Sequence, residues 1–210
     1  MTQEPQQQLR WRLPKQARSR ERFNRILDAA AELFVEVGYE SVTTDEIAAR
    51  ADTSVGGLYR FFPDKLAVFH ALVDRYLKQL GEVFANLHTD ETAKLPLEIY
   101  ISNAIDAFDE FVTANPAYRT VFVQSRLVST ELMAMDTAFN QEIARQLSAF
   151  FITRKPTLEK SQADLLAAVT VEAASALEIF SLTREGNFQQ QVLAETKKML
   201  ILYLKQYFPN

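Results

Sequence analysis

The stretch Thr43 to Lys65, TTDEIAARADTSVGGLYRFFPDK, constrains the fold more than any other part of the chain. It reads as two short helices joined by a tight turn and followed by a helix restart, the layout of a helix-turn-helix. Thr43 with Glu46 three residues later forms a capping box, in which each side chain satisfies a free amide of the first turn. Ile47, Ala48 and Ala51 give this helix a narrow apolar side, and Asp52-Thr53-Ser54 supplies turn chemistry, with Ser54 placed to cap the next helix. Gly56 and Gly57 are expected to let the second helix's first turn approach another backbone closely. Leu58 and Phe62, four apart, share one face, which leaves Tyr59 and Arg60 to point elsewhere.

The run Gly56-Gly57-Leu58-Tyr59-Arg60-Phe61-Phe62-Pro63-Asp64-Lys65 resembles the tetracycline-repressor (TetR) family, whose DNA-binding segment reads Gly-x-Leu-Tyr-x-x-Phe-x-x-Lys after a threonine-led helix and a turn ending in Ser. The resemblance implies that the second short helix enters the major groove. Val55, Gly56, Tyr59 and Arg60 then fall where base edges can be met, with Arg60 suited to a bidentate contact with guanine O6 and N7. It also implies phosphate contacts from Thr43, Thr44, the amide of Gly57, Tyr59 and Lys65. Two departures stand out: Asp52 replaces a common glycine but tolerates a left-handed turn, and Phe61 replaces a Tyr or His, so one phosphate contact is expected to be missing. The match is specific over residues 19–65; beyond them it rests on helix number and order.

The net charge of −4 argues against a nucleic-acid partner only if the chain is taken as one block. Residues 1–25 hold seven basic groups against Glu4 and Glu21, a local net of +5 immediately before the helix-turn-helix. A basic tip carried on an acidic body is the expected distribution for a protein that meets phosphate at one end only. The absence of cysteine excludes disulfides and thiolate chemistry, and His70 and His88 lack ligand spacing, so no metal or other cofactor is expected. No nucleophile–base pair or phosphate-binding glycine loop suggests an enzyme. No apolar run approaches the roughly 20 residues of a membrane span, and the N-terminus is polar, so a cytoplasmic protein with no membrane partner is expected.

Residues 1–17 read as a flexible basic arm carrying the lone Trp11, 18–65 as the DNA-binding domain, and 66–210 as a ligand-binding and dimerisation domain. From Ser19 to Val37, apolar residues recur at threes and fours until Gly38 ends the helix. A further helix runs from Pro63-Asp64 to about Asn86. Others are expected near 95–114, 117–127, 130–153, 161–184 and 188–207, giving an all-α fold of about nine helices.

The middle helices are rich in aromatic residues. By the family resemblance they surround an effector pocket, for which Asn103, Phe108, Phe111, Phe122, Arg126 and Glu172 are the candidate ligand-binding residues, with Glu178 a further polar group in an apolar run. Glu172 and Glu178 would suit a cation and Arg126 an anion; the sequence does not choose. Ala168, Val171, Ser175, Val192, Met199 and Tyr203 on the last two helices are candidates for a homodimer interface. The function these features imply is a ligand-responsive regulator, a repressor released from a palindromic double-stranded DNA operator by a small, largely apolar effector. The alternatives are an effector-independent DNA-binding regulator, whose aromatic middle is core alone, and an all-α small-molecule carrier.

Overall fold

The computed structural model describes residues 11–184 and 186–209, apart from the side chains of 125–127. Two compact units divide the chain between Arg75 and Tyr76, some way into a helix rather than at its start.

In the first unit, α1 (Ala17–Ser41) buries Phe23, Ile26, Leu27, Ala30 and Phe34 on one face, as its periodicity requires. Its helical path breaks at Gly38, whose φ of 79° lies in the region that glycine alone enters without strain. Val37, next to the break, is exposed, whereas Val42 beyond it is buried. The short helices α2 (Thr44–Arg50) and α3 (Val55–Tyr59) follow, and then α4 (Lys65–Leu87) begins. Arg50 ties α2 to α1 through a bidentate pair with Glu36, 2.9 Å on each arm, and a 3.2 Å contact with Glu32.

Phe62 is fully buried, its ring 4.8 Å from that of Phe23, and Phe61 meets Phe23 edge-on at 5.8 Å. The backbone N–H of Arg12 donates to the Phe61 carbonyl at 2.9 Å, and Trp11 is 7% exposed. Of the expected flexible arm, residues 1–10 lie outside the described residues and the chain is anchored at Trp11 and Arg12, because burying an indole recovers more free energy than leaving it in water.

In the second unit, the remainder of α4 leads through a 3₁₀ turn, Thr92–Lys94, to α5 (Leu97–Ala114), α6 (Pro116–Val128), α7 (Thr130–Arg154), α8 (Lys160–Leu182) and α9 (Asn187–Lys205). Pro116 occupies the first turn of α6, where no amide hydrogen is needed, and Ser129 caps α7 by accepting from the amide of Leu132. Gly186, at φ 60°, turns α8 into α9. Helix α8 packs against α7 and α9, and α5 against α9, around Leu97, Ile101, Leu147, Phe151, Leu166, Leu200 and Leu204.

One sequence expectation is corrected here. With 23 residues and a window of mean hydropathy 1.7, α8 is long and apolar enough to cross a membrane. Its apolarity follows from having two sides to cover: Ala163, Leu166, Ala167, Thr170 and Leu182 are buried among neighbouring helices.

Candidate nucleic-acid interface and effector cavity

The capping box at the start of α2 is complete. The Glu46 carboxylate accepts from the Thr43 amide at 2.8 Å and the Thr43 hydroxyl at 2.7 Å, and the Thr43 hydroxyl accepts from the Glu46 amide at 3.2 Å. These bonds hold the Glu46 carboxyl below its usual pKa. Both Thr43 donors are thus committed within the protein, and its expected phosphate contact has no hydrogen left to give. The Thr43→Ala variant should lose about 1 kcal/mol of stability in chemical denaturation, the ordinary cost of an N-cap.

The turn residue Asp52 sits at φ 49°, the left-handed conformation that an aspartate tolerates. Ser54 caps α3 by accepting from the amide of Gly57 at 3.1 Å, so this amide too is used internally rather than facing phosphate. A Cβ on Gly57 would lie 2.6 Å from the Thr53 hydroxyl oxygen and 3.2 Å from that of Ser54, whereas one on Gly56 meets nothing within 4 Å. The expected close approach is therefore to two turn hydroxyls, not to another backbone, and it belongs to Gly57 alone.

Leu58 and Phe62 anchor α3 from below, both fully buried. Opposite them, Tyr59 is 48% exposed and its hydroxyl lies 3.1 Å from that of Thr44. Two of the expected phosphate-contacting groups are thereby brought together, and only one of the two hydroxyls donates in that pair. Val55 is half-exposed on α3, and Arg60, the residue that follows this helix, is exposed and makes no side-chain hydrogen bond or ion pair among the described residues. Lys65 lies elsewhere: its ammonium donates to the carbonyls of Tyr39 at 2.7 Å and Glu40 at 3.1 Å and sits 4.4 Å from the Tyr39 ring centroid. It fastens the chain following the break in α1, the usual affinity of a cation for carbonyls at a helix end. Arg18 and Arg22 on α1, not singled out individually from the sequence, are exposed and carry no ion pair among the described residues.

The second unit holds a partly open cavity of about 90 Å³ lined by side chains from α4 to α9. Phe108 and Phe122 line it, as expected. Phe111 is buried behind it, edge-on to Tyr118 at 5.2 Å, and Tyr118 stacks on Phe122 at 4.3 Å. Asn103 and Glu172 are exposed and do not line the cavity. The side chain of Arg126 falls outside the described residues.

The polar groups that do line the cavity include Glu178, Asp136, Asn140, Ser175 and His88. Burial raises the Glu178 carboxyl pKa to about 8, and burial lowers that of His88 to about 4. The His88 Nε2 lies 3.0 Å from the Tyr100 hydroxyl. Burial also pushes the Tyr118 hydroxyl well above its ordinary pKa, reinforced by the nearby charges of Glu178 and Asp136.

Two of the expected interface residues, Val171 and Ser175, also line this cavity. Ala168 and Met199 are exposed, and Val192 and Tyr203 are half-buried. The outward stripe of α8 instead runs through Leu165, Val169, Glu172 and Ala176, and that of α9 through Phe188, Met199 and Leu202, the last 68% exposed.

The helix-turn-helix segment matches the model described as bacterial regulatory proteins, tetR family, over residues 26–72, and the second unit matches the tetracyclin repressor-like C-terminal domain over residues 96–204. The chain belongs to the TetR family. It is 30% identical over 169 residues to the HTH-type transcriptional activator FasR of Mycolicibacterium smegmatis, covering 78% of this chain and 73% of that one. The HTH-type transcriptional repressor KstR of Mycobacterium tuberculosis is 42% identical over 74 residues, 35% of this chain and 31% of KstR. A solved TetR-family regulator from Streptomyces coelicolor superposes with a TM-score of 0.62 at 25% identity, covering 88% of this chain and 98% of the other. As a TetR-family member the chain is a DNA-binding transcriptional regulator, all-α as its motif implied.

Proposed function

We propose that this regulator works as a homodimeric repressor released from a palindromic operator by a small, largely apolar effector. The observation that carries the reading is the presence, in one chain, of a reader helix followed by an Arg60 with no side-chain partner among the described residues and of an aromatic cavity. A single reader of this size spans too few base pairs for specificity, so two copies would sit on half-sites about 34 Å apart. The outward stripe of α8 and α9 supplies apolar surface for that pairing. In this account Leu202→Asp yields a monomer by light scattering and weakens operator binding, whereas an unchanged dimer would move the interface elsewhere.

Helix α4 links the two functions covalently: Lys65 opens it beside the reader, and Leu77, Leu80 and Phe84 line the cavity. An effector acts on DNA binding only through its differential affinity for the two states, so filling the cavity must shift α4 to matter. Arg60 would read guanine while Thr44, Tyr59, Arg18 and Arg22 hold phosphates. Arg60→Ala is expected to weaken operator binding by about 1–3 kcal/mol and relax preference at one position, without altering the salt slope of the remaining phosphate contacts.

The test is selection from a random duplex pool at two salt concentrations. Recovery of a palindrome with steep salt dependence supports the reading; recovery of no preferred sequence by folded protein sinks it. A second reading, activation rather than repression, is favoured by one observation: the relative matched along most of the chain is named an activator. In vitro transcription from a promoter carrying the selected operator separates the two by sign. The expected location for either is the cytoplasm.

A further inference from the structure

The effector reading leaves open what kind of molecule the cavity takes, and the charges along its wall bear on that choice. Its walls are aromatic and aliphatic, and the described lining residues include two carboxylic acids, Glu178 and Asp136, but no lysine or arginine. His88, the one basic group there, is kept neutral by burial. The Glu178 residue is 7% exposed, and its carboxyl has no hydrogen bond or ion pair among the described residues. A buried polar group without a partner is costly, and cavities that keep one commonly spend it on a ligand. The same wall carries Tyr118 and Phe122, stacked at 4.3 Å, with Phe108 6.1 Å from Tyr118, aromatic rings of the kind that attract a cation.

We propose that the cavity takes a lipophilic amine, its protonated nitrogen lying against the Glu178 carboxylate and its apolar body among Phe108, Tyr118 and Phe122. The proposal rests on the cavity being the effector site. The cavity's 90 Å³ is below the volume of a typical drug-sized site, so the apolar body is compact or the walls yield to admit it. A carboxylate or phosphate head group would instead meet the Glu178 carboxyl, which has no cation beside it among the described residues.

Proton accounting follows from the same geometry. Glu178 is protonated in the empty cavity at neutral pH, so an ammonium that pairs with it displaces that proton to solvent. The groups facing it from the surrounding elements are Tyr118 on α6, Asp136 on α7, Tyr100 on α5 and His88 after α4. Burial keeps both tyrosines protonated and the histidine neutral across pH 6–9. Proton release on binding should therefore approach about 0.9 per ligand at pH 7 and vanish near pH 9.5.

The experiment is calorimetric titration of the full chain with three probes of matched shape, 4-phenylbutylamine, 4-phenylbutanol and 4-phenylbutanoate, in two buffers of different ionisation enthalpy. The expected result is that the amine binds at least tenfold more tightly than either analogue and releases a proton at pH 7. Glu178→Gln should then cost the amine at least tenfold while leaving the alcohol within about twofold. Tighter binding of the butanoate or the alcohol, an amine affinity indifferent to Glu178→Gln, or no binding by any probe overturns the proposal. Operator binding measured with saturating amine is a separate arm. If the amine binds through Glu178 yet leaves operator affinity unchanged, the amine site stands and the release mechanism falls.

Discussion

Replacing Glu178 with glutamine should leave the protein equally stable at pH 6.5 and pH 8.5, whereas the parent chain loses roughly 2 kcal/mol over that interval. The sign follows from burial. The folded-state pKa of Glu178 is raised from 4.5 to about 8, so the folded protein holds this proton more tightly than the unfolded chain does. The stabilising effect of that proton is fully present below pH 4.5 and is lost as pH rises through 8.

His88 acts oppositely. Its folded pKa is lowered from 6.5 to about 4, so its contribution is present above pH 6.5 and lost as pH falls through 4. Between about pH 4.5 and 6.5 the two slopes nearly cancel, and the parent should show a plateau there followed by a decline above pH 6.5. The loss between pH 6.5 and 8.5 corresponds to roughly 4–8 °C in melting temperature for a chain of this length. Thermal melts of the parent, Glu178→Gln and His88→Gln across pH 4–9 check the account. A Glu178→Gln melting curve that still falls above pH 6.5 would assign the effect to another group.

Phe62→Ala is expected to be the most damaging single change in the first unit, at about 3–5 kcal/mol. The ring is fully buried, 4.8 Å from Phe23 and 6.3 Å from Phe61. Helix α3 has five residues, too few to persist on hydrogen bonds alone, and is held by Leu58 and by the Phe62 that follows it. Truncating this anchor frees the reader helix as well as opening a cavity, so operator binding should disappear along with stability. Trp11 is the sole tryptophan and is buried in this unit, so its fluorescence reports the unit's unfolding directly. An emission midpoint unchanged in urea would show that Phe62 is not the anchor.

The helices were legible because their signals are local and periodic. Gly38 breaks α1 where the apolar recurrence stops, Pro116 opens α6, and the capping box at Thr43 starts α2. The Thr92–Lys94 turn was not, since it is held by Thr89 and Thr92 hydroxyls and buries no periodic face. At the reader, spacing identified which residues gather there but not which hydrogens remain to be donated. Thr43 and the Gly57 amide give theirs to protein acceptors and Lys65 gives two of its three, and that depends on where those acceptors lie in space.

In α8 the choice between Glu172 and Glu178 was a matter of helical phase. Six residues at 100° each set them about 120° apart around the axis. Glu178 follows Ser175 and Val171 onto the cavity side, while Glu172 joins Leu165 and Val169 outside. Placing both glutamates by their apolar surroundings alone concealed that division.

The cavity has a mechanical side as well. Packing defects are eliminated when a chain unfolds, so hydrostatic pressure favours the unfolded state in proportion to that loss. A cavity of about 90 Å³ at the proposed effector site is a packing defect of this kind, and the second unit is expected to yield to pressure there. Any occupant that fills the space should raise the midpoint of pressure denaturation even where its effect on the thermal midpoint is small.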